Sequence, residues 1–226
     1  SVDYRLVRQT DSPFPDAVHD VQLAVQWIAD NAHRYGVEPD KIGMIGSSAG
    51  GHLAAMVATL GTTGDPTKEP LATQPSGVQV AAVASWSGIY DLTSLEVREH
   101  GESSCGDDPQ CITFSRPKLV PNFIGCSLED CPERYEQASP IDHVGPSTAP
   151  MFLANATDEL IPLSQPEAML TQLSAAGVPN SHQFLPGKAH ASLYINHVWG
   201  NTESFLRKHL GVEETSVADW LVPSAL

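Results

Sequence analysis

The pentapeptide Gly46-Ser47-Ser48-Ala49-Gly50 constrains this chain more than any other stretch. The apolar run Lys41-Ile42-Gly43-Met44-Ile45 precedes it and reads as a short buried strand. The run His52 to Leu60 follows it and reads as a helix packed on a sheet. A strand that turns sharply into a helix forces the central residue, Ser48, into a strained backbone. It also lifts the Ser48 hydroxyl off the sheet, at the positive end of the helix. Small residues at 46 and 50 are expected to let neighbouring backbone approach. The G-x-S-x-G pattern alone is a weak signal. Strand before and helix after make it a nucleophile elbow, with a glycine-rich turn carrying an ordinary exposed serine as the bland alternative.

An elbow of this kind belongs to a parallel sheet, and the rest of the chain supplies one. Its 226 residues suffice for one large α/β domain with a substantial core. Asp16–Tyr35 reads as a long amphipathic helix, with Val18, Val21, Val25 and Ile28 near a 3.6 period and Gly36 ending it. Strands are expected at Val2–Leu6, Gln79–Trp86, Met151–Ala156 and His182–Leu185. Helices are expected at Pro166–Gly177 and Thr202–Leu210. The alternation predicts a doubly wound, mostly parallel sheet in a single domain spanning 1–226. The irregular stretch from about 91 to 139 is too long for an ordinary connection and reads as a cap or substrate-binding insertion. The tail from Glu213 to Leu226 has no assigned place.

Charge excludes some functions. The formal net charge of −15, with no basic patch, disfavours nucleic acid and anionic membrane surfaces as partners. No apolar run approaches the ~18 residues of a membrane span. The four cysteines, 105, 111, 126 and 131, sit in the irregular stretch. Cys105–Cys111 and Cys126–Cys131 are the simplest pairing, although four cysteines allow three. Disulfides imply a secreted or otherwise oxidising location. A zinc site lacks a C-x-x-C pair, and free buried thiols remain an alternative. No cofactor and no metal are expected.

A serine hydroxyl needs a base within hydrogen-bond reach, and the base needs an acid to fix its tautomer. In a parallel sheet these come from loops at the carboxyl ends of later strands. Asp158 follows Met151–Ala156, and His190 follows His182–Leu185. Ser48, Asp158, His190 is the α/β-hydrolase order. Glu159, adjacent to Asp158, and Asp91, after an earlier strand, are the alternative acids. His52, His143, His182 and His197 read as packing or surface residues. Asn155-Ala156-Thr157 is a formal glycosylation sequon at a buried strand end, where modification is not expected.

With these residues in hand, the chain resembles the α/β-hydrolase esterases, close to the hormone-sensitive-lipase-like and acetyl-xylan/feruloyl-esterase-like group. The matching stretches are Val2-Asp3-Tyr4-Arg5-Leu6, Phe14 to Val21, Gly46 to Ala54, Ser87 to Leu92, Ser139-Pro140-Ile141 and the loops of Asp158 and His190. The resemblance implies hydrolysis of short-chain carboxylic esters through an acyl-serine, including acetyl esters of plant polysaccharide. Ser48 would attack, His190 would carry the proton and Asp158 would orient His190. The Ala49 amide would supply one oxyanion donor. The group carries a His-Gly-Gly loop upstream of the Asp-Tyr-Arg-Leu strand for the second donor, and the sequence given holds no counterpart. The chain is therefore expected to be trimmed relative to its family, with an exposed sheet edge near Val2–Leu6 that invites a homo-oligomer or an N-terminal segment. An aryl-formamidase-type amidase is the alternative enzyme. A catalytically impaired hydrolase-fold binding protein is the alternative from another class.

Overall fold

The computed structural model describes residues 1–7, 12–68, 74–95 and 119–212. The expected Cys105–Cys111 pair, the tail from 213 and much of the 91–139 stretch lie outside them. Four strands form one sheet: β1 (Gly43–Ser47), β2 (Ala82–Trp86), β3 (Met151–Ala156) and β4 (Asn180–Leu185). They lie in the order β1-β2-β3-β4, and every neighbouring pair is parallel. The six α-helices among the described residues are α1 (Asp16–Tyr35), α2 (Ala49–Leu60), α3 (Leu119–Ile124), α4 (Pro132–Gln137), α5 (Ser164–Ala175) and α6 (Ile195–Leu210). None is long and apolar enough to cross a membrane.

Period-2 alternation assigns the strand side chains to two cores. Val83, Met151 and Leu153 pack with α1, α2 and α5 on one face. Ala84, Trp86, Phe152 and Ala154 pack with Tyr194 and Val198 on the other, under α6. The central strands β2 and β3 are buried along their whole length, as a sheet covered on both faces requires. α2 is buried from Gly51 to Leu60, which explains its nearly continuous apolar sequence. α1 ends at Gly36, in the left-handed region at φ 67°, where a side chain would be strained.

The expected strand at Val2–Leu6 does not form: residues 1–7 carry no regular structure. Their backbone is claimed by α1 instead. The Arg5 amide donates to Asp20 Oδ2 at 2.9 Å, and its guanidinium bonds Asp20 and Asp16. Val2 and Tyr4 pack against the core. The sheet edge near residue 1 is thus corrected to β1, which pairs only with β2 among the described residues and leaves Ile45 44% exposed. α6 also begins seven residues before the expected Thr202. Its first two turns carry the exposed Ile195 and Trp199, so their apolar positions do not trace a simple buried stripe.

Candidate active site

β1 delivers Ser48 to the first turn of α2. Ser48 has φ 53° and ψ −120°, outside the ordinary regions for a residue with a side chain. Its amide donates to Trp86 O at 2.8 Å and its carbonyl accepts the His52 amide at 3.1 Å, so the turn is held from both sides. Gly46 must be glycine, because a Cβ there would lie 2.1 Å from Gly50 O. Gly50, expected to serve the same purpose, faces open space. The second tight approach is at Gly51, where a Cβ would meet Ser85 Oγ at 2.8 Å and Trp86 O at 3.2 Å. The helix seats against β2 at Gly51, one position later than the motif suggests.

His190 lies on the loop after β4, directly before a short 3₁₀ helix, Ala191–Tyr194. Its Nε2 is 2.9 Å from Ser48 Oγ. Its Nδ1 contacts Glu159 Oε2. The expected acid, Asp158, does not reach the imidazole. Its amide donates to Gly187 O at 2.9 Å, and its exposed carboxylate accepts the Thr157 hydroxyl at 3.1 Å. The reason is the turn after β3. Thr157 and Asp158 form its tip, and residue 159 folds back beneath it. There Glu159 is fully buried and its Oε1 accepts the Ala156 amide at 2.9 Å. The acid and base loops are tied directly: Thr157 N to Leu185 O at 2.8 Å, and Gly187 N to Thr157 Oγ1 at 3.2 Å.

The remaining candidates fall away from this constellation. Asp91 accepts the Thr93 and Ser94 amides and hydroxyls, closing a local turn. His52 bonds Ala138 O at 2.7 Å, and burial pushes its pKa down to about 4. His143 bonds Gln137 O, and His182 packs on Phe184. The His197 carbonyl, on α6, accepts from Gln183 Nε2 of β4. Asn155, the sequon asparagine, is fully buried, with Nδ2 donating to Ala156 O and Ile161 O. Ala49 opens α2, so its amide is a first-turn N–H with no intrahelical carbonyl to serve. Among the described residues no group of three or more His, Cys, Asp or Glu could hold a metal ion. Cys126 and Cys131 form a disulfide.

Sequence reasoning passed over two residues that touch Glu159 or its support. Ser87 Oγ donates to Glu159 Oε1 at 2.7 Å and lies 2.7 Å from Tyr194 Oη. A serine immediately after a wholly buried strand, before a glycine, was the available signal for the first. Nothing local distinguished Tyr194.

Chemically, this is a hydroxyl, an imidazole and a buried carboxylate in series. The imidazole can take a proton from the hydroxyl while the carboxylate stabilises the resulting cation. Comparisons with known proteins place the chain by sequence and by fold. The chain is 28% identical over 193 residues to a probable carboxylic ester hydrolase, LipM, of Mycobacterium tuberculosis, covering 84% of this chain and 41% of that protein. It is 31% identical over 180 residues to esterase LipQ of the same organism, covering 79% of this chain and 39% of that protein. The chain thus spans about two fifths of the length of these relatives. A truncated carbohydrate esterase from gut microbiota superposes with a TM-score of 0.74 at 20% identity, over 93% of this chain and 73% of that one. That likeness shows the α/β-hydrolase fold. The family profile described as BD-FAE matches residues 1–173, and the chain belongs to that family.

Proposed function

We propose that the chain is a serine carboxylesterase acting on small, short-chain acyl esters, with Ser48, His190 and Glu159 as its reacting set. The observation that carries this reading is the single line of contacts from Ser48 Oγ through His190 to a fully buried carboxylate. Ser48 Oγ attacks the ester carbonyl carbon as its proton passes to His190 Nε2. The oxyanion draws on the Ala49 amide at the start of α2. His190 then returns the proton to the departing alkoxide, the C–O bond breaks, and an acyl-serine remains. Water attacks that ester, gives its proton to His190, and collapse restores Ser48 and frees the acid. Acetyl esters of plant polysaccharide are the finer substrate class, supported by the carbohydrate esterase among the structural neighbours.

Turnover of p-nitrophenyl acetate against an N-formyl anilide tests the reaction. Preference for the acetate, lost in Ser48→Ala, supports an esterase. Preference for the anilide favours an amidase, and no turnover of either favours a binding protein. The reading extends to an oxidising, extracytoplasmic location, supported by the Cys126–Cys131 disulfide. It also extends to a homo-oligomer paired along β1, supported by the exposed Ile45. Non-reducing peptide mapping and light scattering test these two points.

A further inference from the structure

Among the described residues, three that are not glycine have positive φ: Ser48 at 53°, Ser87 at 50° and Ala191 at 54°. Such conformations persist only where the surroundings over-determine them. Ser48 carries the nucleophile and Ala191 directly follows the base. Ser87 has no role in the chemistry above, yet its hydroxyl reaches the Ala191 amide. It is fully buried at the end of β2, and its amide donates to Ala154 O at 2.8 Å. Its Oγ accepts the Ala191 amide at 2.8 Å and donates to Glu159 Oε1 at 2.7 Å. One hydroxyl thus touches both the acid and the backbone beside the base.

The proton count fixes its direction. Ser87 Oγ contacts Glu159 Oε1 and Tyr194 Oη, and Tyr194 Oη also contacts Ala154 O at 2.9 Å. Two hydroxyl protons serve these three oxygen–oxygen contacts when Glu159 is ionised. A bond to a charged acceptor is the stronger one, so the Ser87 proton goes to Glu159. The Tyr194 proton is left to serve Ser87 Oγ and Ala154 O. Glu159 Oε1 then accepts from both Ser87 and Ala156, and Oε2 is presented to His190.

We propose that Ser87 is a positioning residue: its hydroxyl, backed by Tyr194, fixes the Glu159 carboxylate and binds the His190 loop to it through the Ala191 amide. The inference rests on Ser48, His190 and Glu159 being the reacting set. Ser87→Ala removes the hydroxyl. Ser87→Gly removes it and also relieves the positive φ, and it carries the test if Ser87→Ala does not fold. Loss of a hydrogen bond to a charged group predicts a kcat on p-nitrophenyl acetate about 10- to 100-fold lower in both, with KM within about twofold. Because Tyr194 acts through Ser87, Ser87→Ala/Tyr194→Phe should be no slower than Ser87→Ala, within about twofold. The downfield proton resonance of His190 Nδ1–H, identified by its absence in His190→Gln, should move upfield in Ser87→Gly. A Ser87→Gly protein with kcat within about threefold of wild type and an unmoved resonance overturns the inference, as do additive effects in the double variant. If the wild type turns over no ester, the loss falls on the proposed function, and the resonance alone decides the role of Ser87.

Discussion

Replacing Glu159 by Gln tests the site most sharply, because the two shapes are alike and the hydrogen-bond inventory is not. Glu159 presents one oxygen to two donors, the Ser87 hydroxyl and the Ala156 amide, and the other to His190 Nδ1. A glutamine has a single acceptor oxygen. Turned towards Ser87 and Ala156, it satisfies both donors and aims its NH2 at Nδ1. His190 must then accept at Nδ1 and carry its proton on Nε2, which can no longer take the Ser48 proton. Turned the other way, it sets NH2 against the Ala156 N–H in a buried site. The first orientation wins two donors to one and selects the wrong tautomer. Loss of the correct tautomer in a serine triad costs about 10⁴-fold in kcat, roughly 5 kcal/mol. Asp158→Asn changes an exposed carboxylate whose side chain bonds Thr157, and should stay within about threefold of wild type. Steady-state kinetics on p-nitrophenyl acetate measure both. An Asp158→Asn protein slowed a hundredfold beside a nearly intact Glu159→Gln protein would refute the assignment.

Other consequences are open to simple measurements. His52 is held neutral by burial, with its pKa near 4 instead of 6.5, so the unfolded chain binds the extra proton first on acidification. Stability is then fully present above about pH 6.5 and falls by about 3 kcal/mol as pH drops towards 4. Urea midpoints should follow that slope in the wild type and flatten in His52→Gln; equal slopes would count against it. Gly46→Ala should abolish folding or turnover, since its Cβ meets the Gly50 carbonyl, whereas Gly50→Ala should melt at or above wild type. Matching melting curves for the two variants would contradict the elbow geometry. Replacing Cys126 and Cys131 together by Ala opens a loop of sequence separation 5 and should cost about 2 kcal/mol in urea unfolding, and an unchanged midpoint would dismiss the link as a stabiliser.

What was legible in the sequence was local. The bounds of α1 and β3 follow from periodicity, the buried run and the Gly36 stop, and the structure reproduces them. The elbow announces itself because strand, turn and helix signals lie within twenty residues. The Val2–Leu6 strand failed because β propensity says nothing about which partner is present, and Asp20 captured the Arg5 amide first. The contact to His190 differs from the expectation by one residue. Sequence position favours Asp158 over its neighbour Glu159, and only the return of the turn beneath the Ala156 amide brings Glu159 to the imidazole. Ser87 and Tyr194 were illegible for the same reason: their partners stand 72 and 107 positions away from Ser87.

The stitching between the two loops has a consequence for how such a chain can change. The carboxylate and the imidazole arrive on segments laced together by Thr157, Asp158, Leu185 and Gly187, while the hydroxyl comes from an elbow on the far side of β2. The two loops therefore fix the acid–base spacing between themselves, while the spacing to Ser48 is set separately, through the Ser48 amide on Trp86 O. An insertion in one of these loops must be matched in the other to keep the proton path, so divergence in this lineage should enter through the opposite rim of the sheet.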